Sequence, residues 1–145
     1  MQNFPQEIIE AAQRAQRRYG VFASITLAQW ALESDYGRHV PPGSNNPFGI
    51  KARTGQPGVE TATHEFRAGT YYRVTQTFAK FPTVADAFDA HAELLATSHY
   101  YDHARRAKCP ADYATALTGV YATDPHYGAK LISIMSVHKL TQFDI

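Results

Sequence analysis

The chain has one cysteine, Cys109, in 145 residues, so no internal disulfide can brace it and stability has to come from packing. It has almost no charge imbalance: 14 lysines and arginines against 13 aspartates and glutamates leave a net charge of +1. That is not the broad basic field on which nucleic-acid binding draws. Long apolar runs are missing as well, and none could cross a bilayer. Neither HExxH nor CxxC occurs and the seven histidines are scattered, so no metal or other cofactor is expected. The opening stretch, MQNFPQEIIEAAQRAQRRYG, lacks the basic start and unbroken apolar core of a secretory leader. Work outside the cytoplasm would then need another route of delivery.

What is present fits one ordinary globular domain spanning residues 1–145, long enough to bury a sizeable core. After Pro5, residues Ile8, Ala12, Ala15 and Tyr19 recur at helical spacing opposite Gln13, Arg14, Arg17 and Arg18, and Gly20 stops the run. The next segment, from Ser24 as predicted N-cap to about Tyr36, is apolar on most of its circumference, which marks a central helix. From Gly37 to Gly58 the chain reads as loop. VETATHEF and TYYRVTQTF then read as two strands joined by a short turn over Arg67, Ala68 and Gly69. Thr83 and Asp86 form a capping-box pattern before a stripe of Val84, Ala87, Phe88, His91, Leu94 and Leu95. Further helices are predicted over Pro110 to Leu117 and from Pro125, capped by Asp124, where Tyr127, Leu131, Ile134 and Met135 share a face. The sum is an α+β domain, mainly helical, with one antiparallel hairpin.

Glu33 is out of keeping with its surroundings. It follows Trp30, Ala31 and Leu32 at the C-terminal end of the most apolar helix, and a long irregular loop comes next. Burial and the negative end of a helix both raise a carboxyl pKa. A glutamic acid still protonated near neutrality suits glycosidic cleavage, in which the leaving oxygen must receive a proton. A second carboxylate usually faces it. Asp35 points elsewhere on a helix, which leaves Glu60 and Glu65 on the hairpin; their odd spacing puts them on opposite faces, and pattern alone does not choose.

ALESDYG, NNPFGIK, THEF and YATDPHYGAKL, in this order, resemble the bacterial glucosaminidase family of peptidoglycan hydrolases, glycoside hydrolase family 73. The resemblance runs from about Pro5 to Val137. It implies a lysozyme-like fold in which a helical lobe and a hairpin face each other across a groove. It also implies Glu33 as general acid, Glu65 as the hairpin carboxylate, and Tyr121 beside the acid in the cleft. Asn46 would shape the groove wall, with Phe48 and Ile50 anchoring its loop. The sequence departs from the family pattern at Asp35 and Tyr36, where glycine and tryptophan are usual, and at Val120, where glycine is usual. Tyr36 could still stack on a sugar face, and Asp35 would push the Glu33 pKa higher. Tyr71, Tyr72, Tyr100 and Tyr101 are candidates for lining a glycan groove. Trp30 and His91 are read as packed, His64 as solvent-facing, Cys109 as a helix-start residue, and Arg105 and Arg106 as solvated.

The expected activity is cleavage of peptidoglycan strands at the N-acetylglucosaminyl bond, by a chain that is monomeric when free. The alternatives are a muramidase or lytic transglycosylase, or a catalytically silent glycan-binding module. Without a leader or wall-anchoring repeats, delivery is expected through a phage holin, as for an endolysin, or through a secretion machine such as type VI, as for an interbacterial toxin. A toxin would imply an immunity protein occluding the groove.

Overall fold

The structure is a computed structural model that describes residues 4–145, apart from the side chain of Glu65. Helix α1 (Gln6–Tyr19) buries Ile9, Ala12 and Ala15 and ends where Gly20 turns left-handed and donates its N–H to Gln16 O at 2.8 Å. Helix α2 (Ala23–Ser34) is buried over nearly its whole circumference, Trp30 included at 4% exposure. Its start corrects the sequence reading. Phe22 holds the N-cap position, and Ser24 lies inside the first turn, donating its N–H and its hydroxyl to the two carboxylate oxygens of Asp144 at 2.7 and 2.8 Å. The cap is thus a remote carboxylate at the positive end of the helix, which local sequence cannot reveal.

β1 (Gly58–Arg67) and β2 (Thr70–Ala79) pair antiparallel in one register, from Gly58 opposite Ala79 to Arg67 opposite Thr70. Ala68 and Gly69, both at positive φ, make the two-residue turn whose twist suits a hairpin. Residues 50–52 add a third, bridge-length strand on β2, with Ala79 N–H donating to Ile50 O and Ala52 N–H to Thr77 O.

Helix α3 (Val84–Thr97) is capped as predicted, Thr83 Oγ1 accepting from the Asp86 N–H. A 3₁₀ turn (His99–Tyr101) and the short α4 (Asp102–Arg105) follow. Arg105 is not solvated as expected, because its guanidinium donates to the carbonyls of Leu95 and Ser98 and ties α4 to the end of α3. Helix α5 (Pro110–Leu117) starts at exposed Cys109. Helix α6 (Tyr127–His138) begins two residues later than predicted, because Asp124 accepts from His126 N–H in a turn that precedes the helix proper. Gly128 lets α6 approach α5: a Cβ there would meet Thr118 Oγ1 at 2.6 Å and Ala114 O at 2.7 Å. The core is one cluster, centred on Ile25, Leu27, Phe48, Phe88, Leu95, Leu117 and Leu131. Among the described residues no helix is long and apolar enough to cross a membrane. The architecture is a mainly helical α+β domain with a small antiparallel sheet standing beside the end of α2.

Candidate active site

Between the helices and the hairpin runs a groove of about 640 Å³. One side is the loop that carries Arg38–Pro42 and Asn46–Gly49, the other is the hairpin at Thr61–His64, Gln76 and Phe78, and Tyr121–Thr123 close it. Glu33, in the last turn of α2, opens into it. The site is anchored because α2 is immobilised by core packing on all sides, so its last turn has little freedom.

Burial pushes the Glu33 carboxyl up to about 7, and a hydrogen bond with Tyr127 works in the opposite direction. Asp35 does not bear on this shift as expected. It takes left-handed φ beyond the end of α2 and turns out to the Arg38 guanidinium, which holds its own carboxyl below the usual range. Tyr127 and Tyr121 stack with ring centroids 5.8 Å apart, and both hydroxyls are held well above their ordinary range, first by burial and next by the nearby Glu33 carboxylate.

Tyr121 is brought to the groove beside the acid, its hydroxyl donating to Phe48 O at 2.8 Å. Asn46 borders the groove too, but its side chain is fully engaged. Its Nδ2 donates to Ile50 O (2.8 Å) and Ala79 O (3.0 Å), and its Oδ1 accepts from Phe48 and Ile50 N–H. It clamps the loop to the base of the hairpin, which makes it a wall-former with no free group for a sugar. Tyr36 is not brought to the groove. With φ of 59° the backbone folds its ring back onto Phe4, Trp30 and His138, and its hydroxyl bonds His138 Nε2 at 3.0 Å. The backbone of Glu65 lies in β1 opposite Tyr72, and its side chain is outside what the structure describes. Glu60 is exposed.

Of the tyrosines suggested as groove lining, Tyr71, Tyr72 and Tyr100 are exposed and Tyr101 is buried. His64 is exposed, as read, but it also borders the groove. His99 and His103 are four residues apart, yet no group of three metal-ligating side chains gathers among the described residues.

The sequence reading placed Tyr127 only on a packing face and passed over Gln29. Both were findable, since an amide in the middle of a helix apolar all round must have a buried partner. Gln29 Nε2 donates to Tyr127 Oη at 2.9 Å, which places Tyr127 against Glu33.

A buried carboxyl with a raised pKa, set under a groove between a helical body and a small sheet, suits general-acid cleavage of a glycosidic bond. Residues 9–140 match the glucosaminidase family, described as mannosyl-glycoprotein endo-beta-N-acetylglucosaminidase. Similar proteins include the exo-glucosaminidase LytG of Bacillus subtilis, 34% identical over 92% of this chain and 50% of its own length. A probable N-acetylmuramidase of Lactococcus lactis is 33% identical over 97% of this chain and 34% of its length. The catalytic domain of the autolysin Auto from Listeria monocytogenes is 33% identical, superposes with a TM-score of 0.81, and is matched over 99% of this chain and 86% of that one. The chain belongs to the glucosaminidase family of glycoside hydrolases. It spans a fifth to a half of the length of curated relatives that it matches.

Proposed function

We propose that the chain hydrolyses the β-1,4 glycan of peptidoglycan at the N-acetylglucosaminyl bond, with Glu33 as general acid. The observation that carries this is the Glu33 carboxyl, buried at the end of α2 with its pKa pushed up to about 7 and open to a groove sized for sugar rings. Protonation of the departing oxygen by such a group lowers the barrier to forming the oxocarbenium-like transition state. Tyr127 then hydrogen-bonds the carboxylate that proton transfer leaves behind.

The opposing carboxylate is proposed to be Glu65. Position 65 has the parity of the half-buried Thr61 and Thr63, while Glu60 shares the parity of the exposed Ala62 and His64 and is itself exposed. Glu65 would activate water for inversion or steady the transition state; in a third route the substrate's own acetamido oxygen attacks, and Glu65→Gln then costs less than Glu33→Gln.

Mass spectrometry of muropeptides released by the wild type and by Glu33→Gln tests the proposal. Reducing N-acetylglucosamine ends from the wild type and none from the variant are expected. Reducing muramic ends would instead favour a muramidase, the activity named for the Lactococcus lactis relative. Anhydro-muramyl ends would favour a transglycosylase, and wall binding without release would mean a silent module. A role as a phage lysin and a role as an injected toxin with an immunity protein are the two proposed settings for this activity, told apart by whether a holin gene or an immunity gene lies beside this one.

A further inference from the structure

Behind Glu33 the structure buries a file of polar side chains whose far end the chemistry above does not use. His91 of α3 is wholly buried, stacked on Phe48 with centroids 4.0 Å apart. Its Nε2 lies 2.7 Å from Gln29 Oε1, Gln29 Nε2 lies 2.9 Å from Tyr127 Oη, and Tyr127 hydrogen-bonds Glu33. Three helices thus contribute to one line of contacts that ends on the acid.

The sense of these bonds follows from counting protons. Tyr127 has a single hydroxyl hydrogen. If Tyr127 Oη accepts from Gln29, that hydrogen is left for Glu33. Were the Gln29 amide flipped, its oxygen would draw the hydrogen away from Glu33, and its NH₂ would confront His91 Nε2. An Nε2–H on His91 forbids the flip. Burial keeps His91 neutral, with its pKa pushed down to about 3, so only one ring nitrogen holds a proton. His91 Nδ1 has no partner. A proton there would orphan a buried donor, which folded proteins tolerate less well than an orphaned acceptor. The proton therefore belongs on Nε2, and every bond in the file points toward Glu33.

We infer that Gln29 and His91 are positioning residues for the acid: together they fix the Tyr127 hydroxyl as a donor to Glu33 and so stabilise the carboxylate left after proton transfer. This rests on the assignment of Glu33 as the acid. The other titratable groups around Glu33 are Tyr121 beside it and Arg38, His39, Lys51 and His64 along the groove. None of these belongs to the file, so changes at Gln29 and His91 report on the file itself.

The test is the pH dependence of kcat and KM on purified glycan strands for the full chain and for Gln29→Met, His91→Phe and His91→Gln. Loss of a donor to a carboxylate raises its pKa. His91→Phe frees the Gln29 amide to flip and take the Tyr127 hydrogen. Its basic limb of kcat/KM is therefore expected to move up by about 0.7 pH unit, the equivalent of one ordinary hydrogen bond. Gln29→Met offers Tyr127 no competing acceptor and should leave the limb in place. In His91→Phe KM should hold and kcat should fall, and His91→Gln, whose amide can replace the Nε2 donor, should restore the limb. A limb that stays in place in His91→Phe while only the melting temperature falls would overturn the inference. So would a ¹⁵N spectrum of the wild type with the proton on His91 Nδ1, a readout that needs no variant to fold. Glu33→Gln separates the two levels: an active Glu33→Gln defeats the acid assignment, while an inactive one with an unmoved limb defeats only the file.

Discussion

Gly49 lies against Glu33: a Cβ at position 49 would sit 3.5 Å from Glu33 Oε1. That separation is ordinary contact, so the methyl itself fits. The backbone does not favour it, because Gly49 has φ of 68°, where an L residue is strained by about 1–2 kcal/mol. Gly49→Ala is expected to lose about that much stability in urea melts while keeping most of its activity. Gly49→Val is expected to lose both, since a branched side chain is worse at that φ and would screen the acid from the groove.

The acid itself is a liability to the fold at alkaline pH. The Glu33 pKa is raised from 4.5 to about 7, so between those values the folded chain holds a proton that the unfolded chain has released. Stability must then fall as pH rises through this window, by up to about 3 kcal/mol. Glu33→Gln cannot ionise. Its stability advantage over the wild type is expected to grow from pH 4.5 to 7 and to level off above, as read by melts at pH 4.5 and pH 8.

His91 acts with the opposite sign. Its pKa is depressed from 6.5 to about 3, so the unfolded chain binds a proton that the folded chain refuses. The resulting stability is complete above pH 6.5 and is lost as pH falls toward 3. His91→Gln is expected to have a flatter acid limb than the wild type. Between pH 4.5 and 6.5 the slopes of Glu33 and His91 oppose one another, and the wild type should show a shallow plateau there.

Asn46→Ala would strip an acceptor from the Phe48 and Ile50 N–H groups and a donor from the Ala79 carbonyl, at a site with 1% exposure. A loss of roughly 2–4 kcal/mol is expected. Asn46→Asp should be worse, because it aims a second oxygen at two carbonyls. Activity should fall with stability and recover at low temperature, the behaviour of a clamp rather than of a sugar contact.

Gly128→Ala would bring a methyl within 2.6–2.9 Å of Thr118 and of the backbone of α5. Backbone cannot give way as a flexible side chain can, so the helices must separate and move Tyr127, the first residue of α6. A lower melting temperature together with reduced kcat is the expected result, and an unchanged protein would refute the close-approach argument.

Local signals were legible where the physics is local. Gly20, Thr83, Ala68–Gly69 and Pro110 punctuate the chain as their backbone preferences dictate, and the apolar circumference of α2 announced a central helix. Position 33 was legible because an acid at such a helix end is costly unless it is used. What escaped depends on distance or on chain reversal. Asp144 reaches Ser24 from 120 residues away. Tyr36 is turned from the groove by two consecutive left-handed residues that nothing in the composition foretold. Tyr127 looked like packing because it is packed; only its hydroxyl reaches the acid.

The hairpin is tied to the body at its base, where Ala79 is buried, while Thr70 to Arg73 are exposed at the far end. Amide exchange should therefore be slow at the foot and quick toward the tip. The bank of the groove on the helical side is then expected to stay fixed and the hairpin bank to yield progressively toward its tip. Under the proposed function, a glycan many times longer than the domain could be laid in from the side and let go the same way, without its ends having to be found.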